Sequence, residues 1–277
     1  MKSMAGLTKR DVMVVLGCVF FLMMSLGAVG SRGRHRAKDI LCRSNLHKLY
    51  LCAFMFTEDN DDSFWRGWLG TAAESIWWFA ALQPYYGDAD KLRCCPAATK
   101  TEWALDGSPG PGFDAQPYMA WGYDSWLDPH DVFDEPPYGS YGANGWLEDK
   151  PSSSQFNSYK YWRYLSAVTT PSQVPFMLDA QWVEAWPEPH DRPPATEDMH
   201  WQDQQDSHFV RVLQNRHNES ENCVFMDGTA RRIGLKELWV LKWHKEYNTS
   251  GPWTLAGGVT RDRWETYASW MADFTNY

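Results

Sequence analysis

The chain has no Cys-x-x-Cys pair, no His-Glu-x-x-His helix and no Gly-rich phosphate loop. It also lacks Gly-x-Ser-x-Gly and the spaced ligands and glycine of an EF-hand loop. These gaps leave no local signature for a zinc protease, a nucleotide-binding loop, a hydrolase elbow or a dedicated calcium loop. Basic residues are scarce after residue 50. The first 50 residues carry a net charge of +7 and the remainder −16. An acidic body beside a short basic segment argues against nucleic acid as a partner. Paired carboxylates are abundant in so acidic a chain and prove nothing about glycoside hydrolysis. No catalytic constellation emerges, so the chain reads as a non-enzyme.

What is present is organised around residues 6–57. An apolar run without a charge covers residues 12–29 and is 18 residues long. That is close to the lower limit for a bilayer-spanning helix. A basic collar follows (Arg32, Arg34, Arg36, Lys38). The pattern then turns amphipathic through Cys42, Leu46, Leu49, Ala53 and Phe56. Steps of four and three put these five on one helical face. The reading is one long helix with a membrane half and an amphipathic half that carries a globular head. A secretory signal peptide is the rival, with Ser25-Leu26-Gly27 or Ala28-Val29-Gly30 as its cleavage site. An ordinary amino-terminal anchor is another. Charge counted on either side of the run would place the head in the cytoplasm, whereas the collar would suit anionic headgroups.

Gly6-Leu7-Thr8-Lys9-Arg10-Asp11, leading into an apolar helix, resembles the prepilin cleavage-and-methylation segment of type IV pilins and type II secretion pseudopilins. The resemblance implies a prepilin peptidase cutting after Gly6, a methylated Leu7, and Asp11 neutralising a neighbouring subunit's terminus in an assembly. Leu7, Lys9, Arg10 and Asp11 depart from the usual Phe, apolar and Glu residues. Near the other end, His217, nine residues, then Asp227-Gly228 resembles a motif of a large pseudopilin-like group abundant in planctomycetes. Cys42 with Asn45-Leu46, Cys95-Pro96, Ser140-Tyr141-Gly142 and residues 235–253 fall in that group's order. The resemblance therefore implies a leader (1–6), a transmembrane and amphipathic helix (7–57) and an α+β head (58–277). It further implies a single-pass protein of the inner membrane, its head in the periplasm or outside, and other pilin-like subunits or further copies as partners.

The expected fold is α+β: the long helix packed on an antiparallel sheet built from residues 173–179, 222–226 and 230–233, with a large loop-rich insertion. Asp227-Gly228 between two apolar runs predicts a hairpin. Helices are predicted over 72–83, 235–244 and 261–274, an extended segment over 91–96, short strands over 119–123 and 140–146, and a surface loop over 186–197. His217 would hydrogen-bond across the hairpin and orient the Asp227-Gly228 turn.

Six cysteines are present. Cys18 lies in the apolar run, and Cys42 and Cys52 lie about 15 Å apart along one helix, too far to bond each other. A disulfide from Cys42 or Cys52 to Cys94 or Cys95 fits an exported head, and spacing does not choose the pairing. His200, Asp203, Asp206, His208, His217 and Asp227 are candidate metal ligands, but no spacing among them defines a site, and they are read as structural. The acidic run at 58–62 could chelate calcium, although a helix end capped by Asn60 is the simpler reading. No other cofactor is implied. Seventeen Trp either fill the core or stack on sugars. The function expected is a pseudopilin-like, membrane-anchored structural subunit; the alternative is an anchored carbohydrate-binding or hydrolysing protein.

Overall fold

Thr8 starts the first helix through a reciprocal cap. Its hydroxyl accepts from the Asp11 amide at 3.3 Å, and the Asp11 carboxylate accepts from the Thr8 amide at 2.8 Å. These bonds satisfy donors that the first turn would otherwise leave open. The helix they begin, α1 (Lys9–Asp59), is 51 residues long and ends at Asn60. This computed structural model describes residues 8–70, 74–87, 89–98, 118–122, 130, 132–133, 137–150 and 159–277. Gly6 and Leu7, and most of the expected insertion, lie outside these residues.

The two halves of α1 differ in their surroundings. From residue 42 onward one face packs on the head: Cys42, Leu46 and Leu49 are fully buried, and Cys52 and Ala53 nearly so. Residues 8–23 are exposed on every side. The membrane-spanning half expected from the sequence is corrected here. Among the described residues, no helix is long and apolar enough to cross a membrane. The transmembrane helix, the single-pass inner-membrane location and a pilin-like fold defined by that anchor are therefore not retained.

The head is α+β, centred on a five-stranded sheet of order β5-β3-β4-β6-β7. Its strands are β3 (Tyr141–Asn144), β4 (Pro175–Asp179), β5 (Glu184–Ala185), β6 (Ser220–Phe225) and β7 (Ala230–Gly234). A separate antiparallel pair joins β1 (Trp121–Gly122) to β2 (Tyr138–Gly139). The sheet is not wholly antiparallel as expected, because β5 runs parallel to β3 at its edge. Residues 180–183 make the return between β4 and β5, and Gly142 makes room for it: a Cβ there would sit 2.6 Å from the Trp182 carbonyl. The strands β4 and β6 are buried throughout, and α1 packs against both.

Several predicted elements are shorter or different. Residues 72–83 hold α2 (Trp78–Ala81), followed by α3 (Gln83–Tyr86), which Pro84 begins instead of ending. The extended segment over 91–96 contains a 3-10 turn (Asp90–Arg93), and the helix over 235–244 is a 3-10 helix (Leu235–Val240). The last helix spans Arg261–Ala268 and tightens to 3-10 over Ser269–Met271. The loop over 186–197 is not wholly on the surface: Pro187, Asp191, Pro193 and Pro194 are buried. The core is aromatic. Eleven of the described Trp are buried, and none of the others is exposed.

Candidate metal centre

Four chain segments meet at one buried point. Helix α1 brings Cys42, the loop after the 3-10 turn brings Cys95, the end of β4 brings Asp179, and the turn before β6 brings His217. One ligand atom from each lies within 4.8 Å of all the others, and all four residues are buried. Local structure explains each placement. Asn45 donates to the carbonyls of Cys94 at 3.1 Å and Lys91 at 3.4 Å, which fixes the loop on α1. The Cys95 amide donates to Ser140 Oγ at 2.6 Å. Asn218 and Glu219 both take left-handed backbone (φ 58° and 60°), and this tight turn presents the His217 ring to the sheet end.

The contacts within the group are short. His217 Nε2 lies 3.2 Å from Asp179 Oδ2 and 3.4 Å from Cys95 Sγ. Cys42 Sγ lies 3.8 Å from both Asp179 oxygens. A surrounding layer holds these atoms in place. Tyr141 donates its hydroxyl to Cys42 Sγ at 3.4 Å, and the Ala97 amide donates to Cys95 Sγ at 3.4 Å. The Asn222 amide donates to Asp179 Oδ2 at 3.1 Å. Arg216 donates to Asp179 Oδ1 at 3.1 Å and to the Met119 and Ala180 carbonyls at 3.0 and 2.8 Å. On the far side of the ring, His217 Nδ1 faces Asp39 Oδ1 at 3.6 Å.

Burial opposes every charge here, and the neighbours decide which charges persist. It pushes the Cys42 thiol up, and the contact with Cys95 adds to that. Cys95 is also buried, but Cys42, His217 and Arg216 bring it down to about 7. Burial would disfavour the Asp179 carboxylate too, but the bond to His217 and the charge of Arg216 hold it below the usual carboxylate range. For His217, burial is outweighed by bonding to Asp179 and Cys95, and it rises to about 10. A cleft of about 830 Å³ is lined by His217 and Arg216 together with His35, Arg36 and Lys38. Of the four clustered residues, His217 is the one that borders it.

The other candidate residues fall elsewhere. Among the described residues, no such group includes His200, Asp203, Asp206, His208 or Asp227, nor the 58–62 run. Asp62 instead caps residue 166, accepting from the Ser166 amide at 3.1 Å. Cys94 and Cys52 do not join the centre, and Cys42, Cys52 and Cys95 are not disulfide-bonded. His217 does not orient the Asp227-Gly228 turn, which lies at the other end of β6. There His47 Nδ1 meets the Gly228 carbonyl at 2.8 Å, and Tyr50 donates to the Met226 carbonyl at 3.1 Å. Asp179, Asp39 and Arg216 are absent from the sequence reading. The available signal was a carboxylate closing the otherwise apolar run of residues 174–179. No protein-family model matches this chain, and neither a curated protein nor a solved structure matches it.

Proposed function

We propose that this chain is a structural, non-catalytic subunit that assembles with further copies of itself through the projecting half of α1. The observation that carries this reading is the contrast along one continuous helix. Its second half is fastened to the head, while its first half leaves Met13, Val14, Leu16, Phe20, Phe21 and Leu22 more than half exposed. These side chains point in all directions around the axis, and a helix apolar on all sides is normally a buried helix. At about 1.5 Å per residue, α1 is roughly 77 Å long, so the uncovered part stands clear of its own head. Neighbouring copies of the same segment would cover it as a bundle. The resemblance of residues 6–11 to a prepilin segment agrees with this role, with Asp11 available to a neighbour as well as to its own cap. The burial of the described Trp gives no support to a sugar-stacking platform.

Cys18 allows a direct test, because it is exposed on the projecting half, whereas Cys42, Cys52, Cys95 and Cys223 are buried and Cys94 is half-buried. Full-length protein treated with a short bis-maleimide should give covalent dimers through Cys18. Cys18→Ser should abolish them, and Phe20→Asp with Phe21→Asp should strongly reduce them. A monomer in sedimentation that yields no cross-link would overturn the reading. So would co-sedimentation with lipid vesicles without cross-links between copies.

A further inference from the structure

We infer that Cys42, Cys95, Asp179 and His217 bind one zinc ion, which fastens α1 to the sheet and to the loop of residue 95. The donor set suits a borderline-soft cation with four-coordinate geometry: two thiolates, one imidazole and one carboxylate. Typical zinc bond lengths of about 2.0–2.3 Å make the edges of a ligand tetrahedron roughly 3.2–3.8 Å. The observed edges from His217 to Asp179, from His217 to Cys95 and from Cys42 to Asp179 are 3.2, 3.4 and 3.8 Å. All four ligand atoms lie within 4.8 Å of one another, so a single cation closes the set by drawing in its wider edges by about 1 Å.

The surroundings point the same way. A metal-bound imidazole characteristically gives its other nitrogen to a carboxylate. Here Nε2 faces the cluster and Nδ1 faces Asp39. Asp39 sits one turn before Cys42 on α1, held by Arg43 at 3.0 Å and Asn222 at 3.0 Å. Each thiol sulfur already receives a donor, from Tyr141 or from the Ala97 amide, as a bound thiolate requires. Charge closes as well: two thiolates and Asp179 carry −3, which a divalent cation and the Arg216 guanidinium neutralise. Binding displaces the thiol protons and any imidazolium proton to solvent. A Cys42–Cys95 disulfide would use two of the four residues and leave the His217–Asp39 arrangement without a purpose.

The test uses full-length protein purified under reducing conditions. Elemental analysis should find about one zinc per chain. Exchange into cobalt should give visible bands of a tetrahedral site with a thiolate charge-transfer band. Asp39→Asn leaves all four ligands intact and should weaken zinc affinity roughly 10–100-fold while the fold is retained. Cys95→Ser should roughly halve the thiolate band, leaving the Cys42 contribution; if that variant does not fold, the Asp39→Asn shift and chelator titration of the unaltered chain decide the matter. Absence of bound metal together with no cobalt spectrum would overturn the inference. A Cys42–Cys95 disulfide in the native, unreduced protein would overturn it equally.

Discussion

Glu148 and Lys150 meet at 2.7 Å with neither side chain more than 1% exposed. Burial, and then the charge of nearby Glu184, push Glu148 well above the usual carboxylate range. Lys150 also donates to the Arg66 carbonyl at 2.9 Å, so it joins the loop before α2 to the acid pair. Lys150→Met removes charged hydrogen bonds to Glu148 and to the Arg66 carbonyl, typically worth about 1.5–3 kcal/mol each. Unfolding free energy should fall by that order, read as a lower denaturant midpoint at unchanged slope. Glu188 is a second legible residue effect. Burial opposes its charge, but His244 at 3.1 Å and Lys160 at 2.5 Å hold its carboxyl below the ordinary value of 4.5. A lowered folded-state value contributes stability above about pH 4.5, which is lost as pH falls through the lowered value. Stability measured against pH should therefore decline on that acid limb, and Glu188→Gln should flatten the decline. At this scale, sequence reasoning picked out Cys42, Cys95 and His217 and left the cysteine pairing open, but it assigned His217 to the Asp227-Gly228 turn. The partner it missed, Asp179, lies 137 residues from Cys42, and no local pattern reports a contact across that distance.

Among the elements, the hairpin was the most legible because its signal is local. Gly228 has φ +80°, and a Cβ there would approach Tyr50 Cε1 at 2.8 Å. Gly228→Ala should destabilise the head by at least about 1–2 kcal/mol from the left-handed backbone alone, and thermal unfolding would read it. The face of α1 set by Cys42, Leu46 and Leu49 was also readable, since 3.6-residue periodicity survives wherever one side is buried. Leu46→Ala should cost about 2–5 kcal/mol, as Leu46 lies fully buried between helix and sheet. Residues 72–83 and 235–244 misled for the opposite reason. Trp77, Trp78, Trp239 and Trp243 are buried by surrounding loops, so their apolar neighbourhood carries no helical period, and short apolar runs do not separate helix from turn. The parallel β5 was invisible as well, because two residues hold no register information.

For the whole molecule, the division between a basic amino-terminal segment and an acidic head raises the question of what drives association. If apolar side chains of residues 12–23 are the contact, Cys18 cross-linking should persist between 0.1 and 1 M salt. Over that range the screening length falls from about 10 to 3 Å. A steep fall in yield would instead assign the contact to the collar and the acidic surface. The expected membrane crossing shows the limit of composition at this scale. Eighteen uncharged residues satisfy a length rule in the sequence, yet the helix that contains them is not apolar enough over its described residues to meet the requirement.

Helix α1 contains no tryptophan, whereas the described head has eleven of them buried. Conversely, α1 supplies 51 α-helical residues, and the four other α-helices among the described residues supply 20. Two ordinary optical signals are thereby separated by region. Indole fluorescence monitors the sheet and its loops, and far-ultraviolet dichroism monitors mainly the rod. On heating, coincident transitions in the two signals would mean that rod and head melt as one cooperative unit. A dichroism loss that precedes the fluorescence change would locate the first event in the uncovered end of α1, with no label needed to see it.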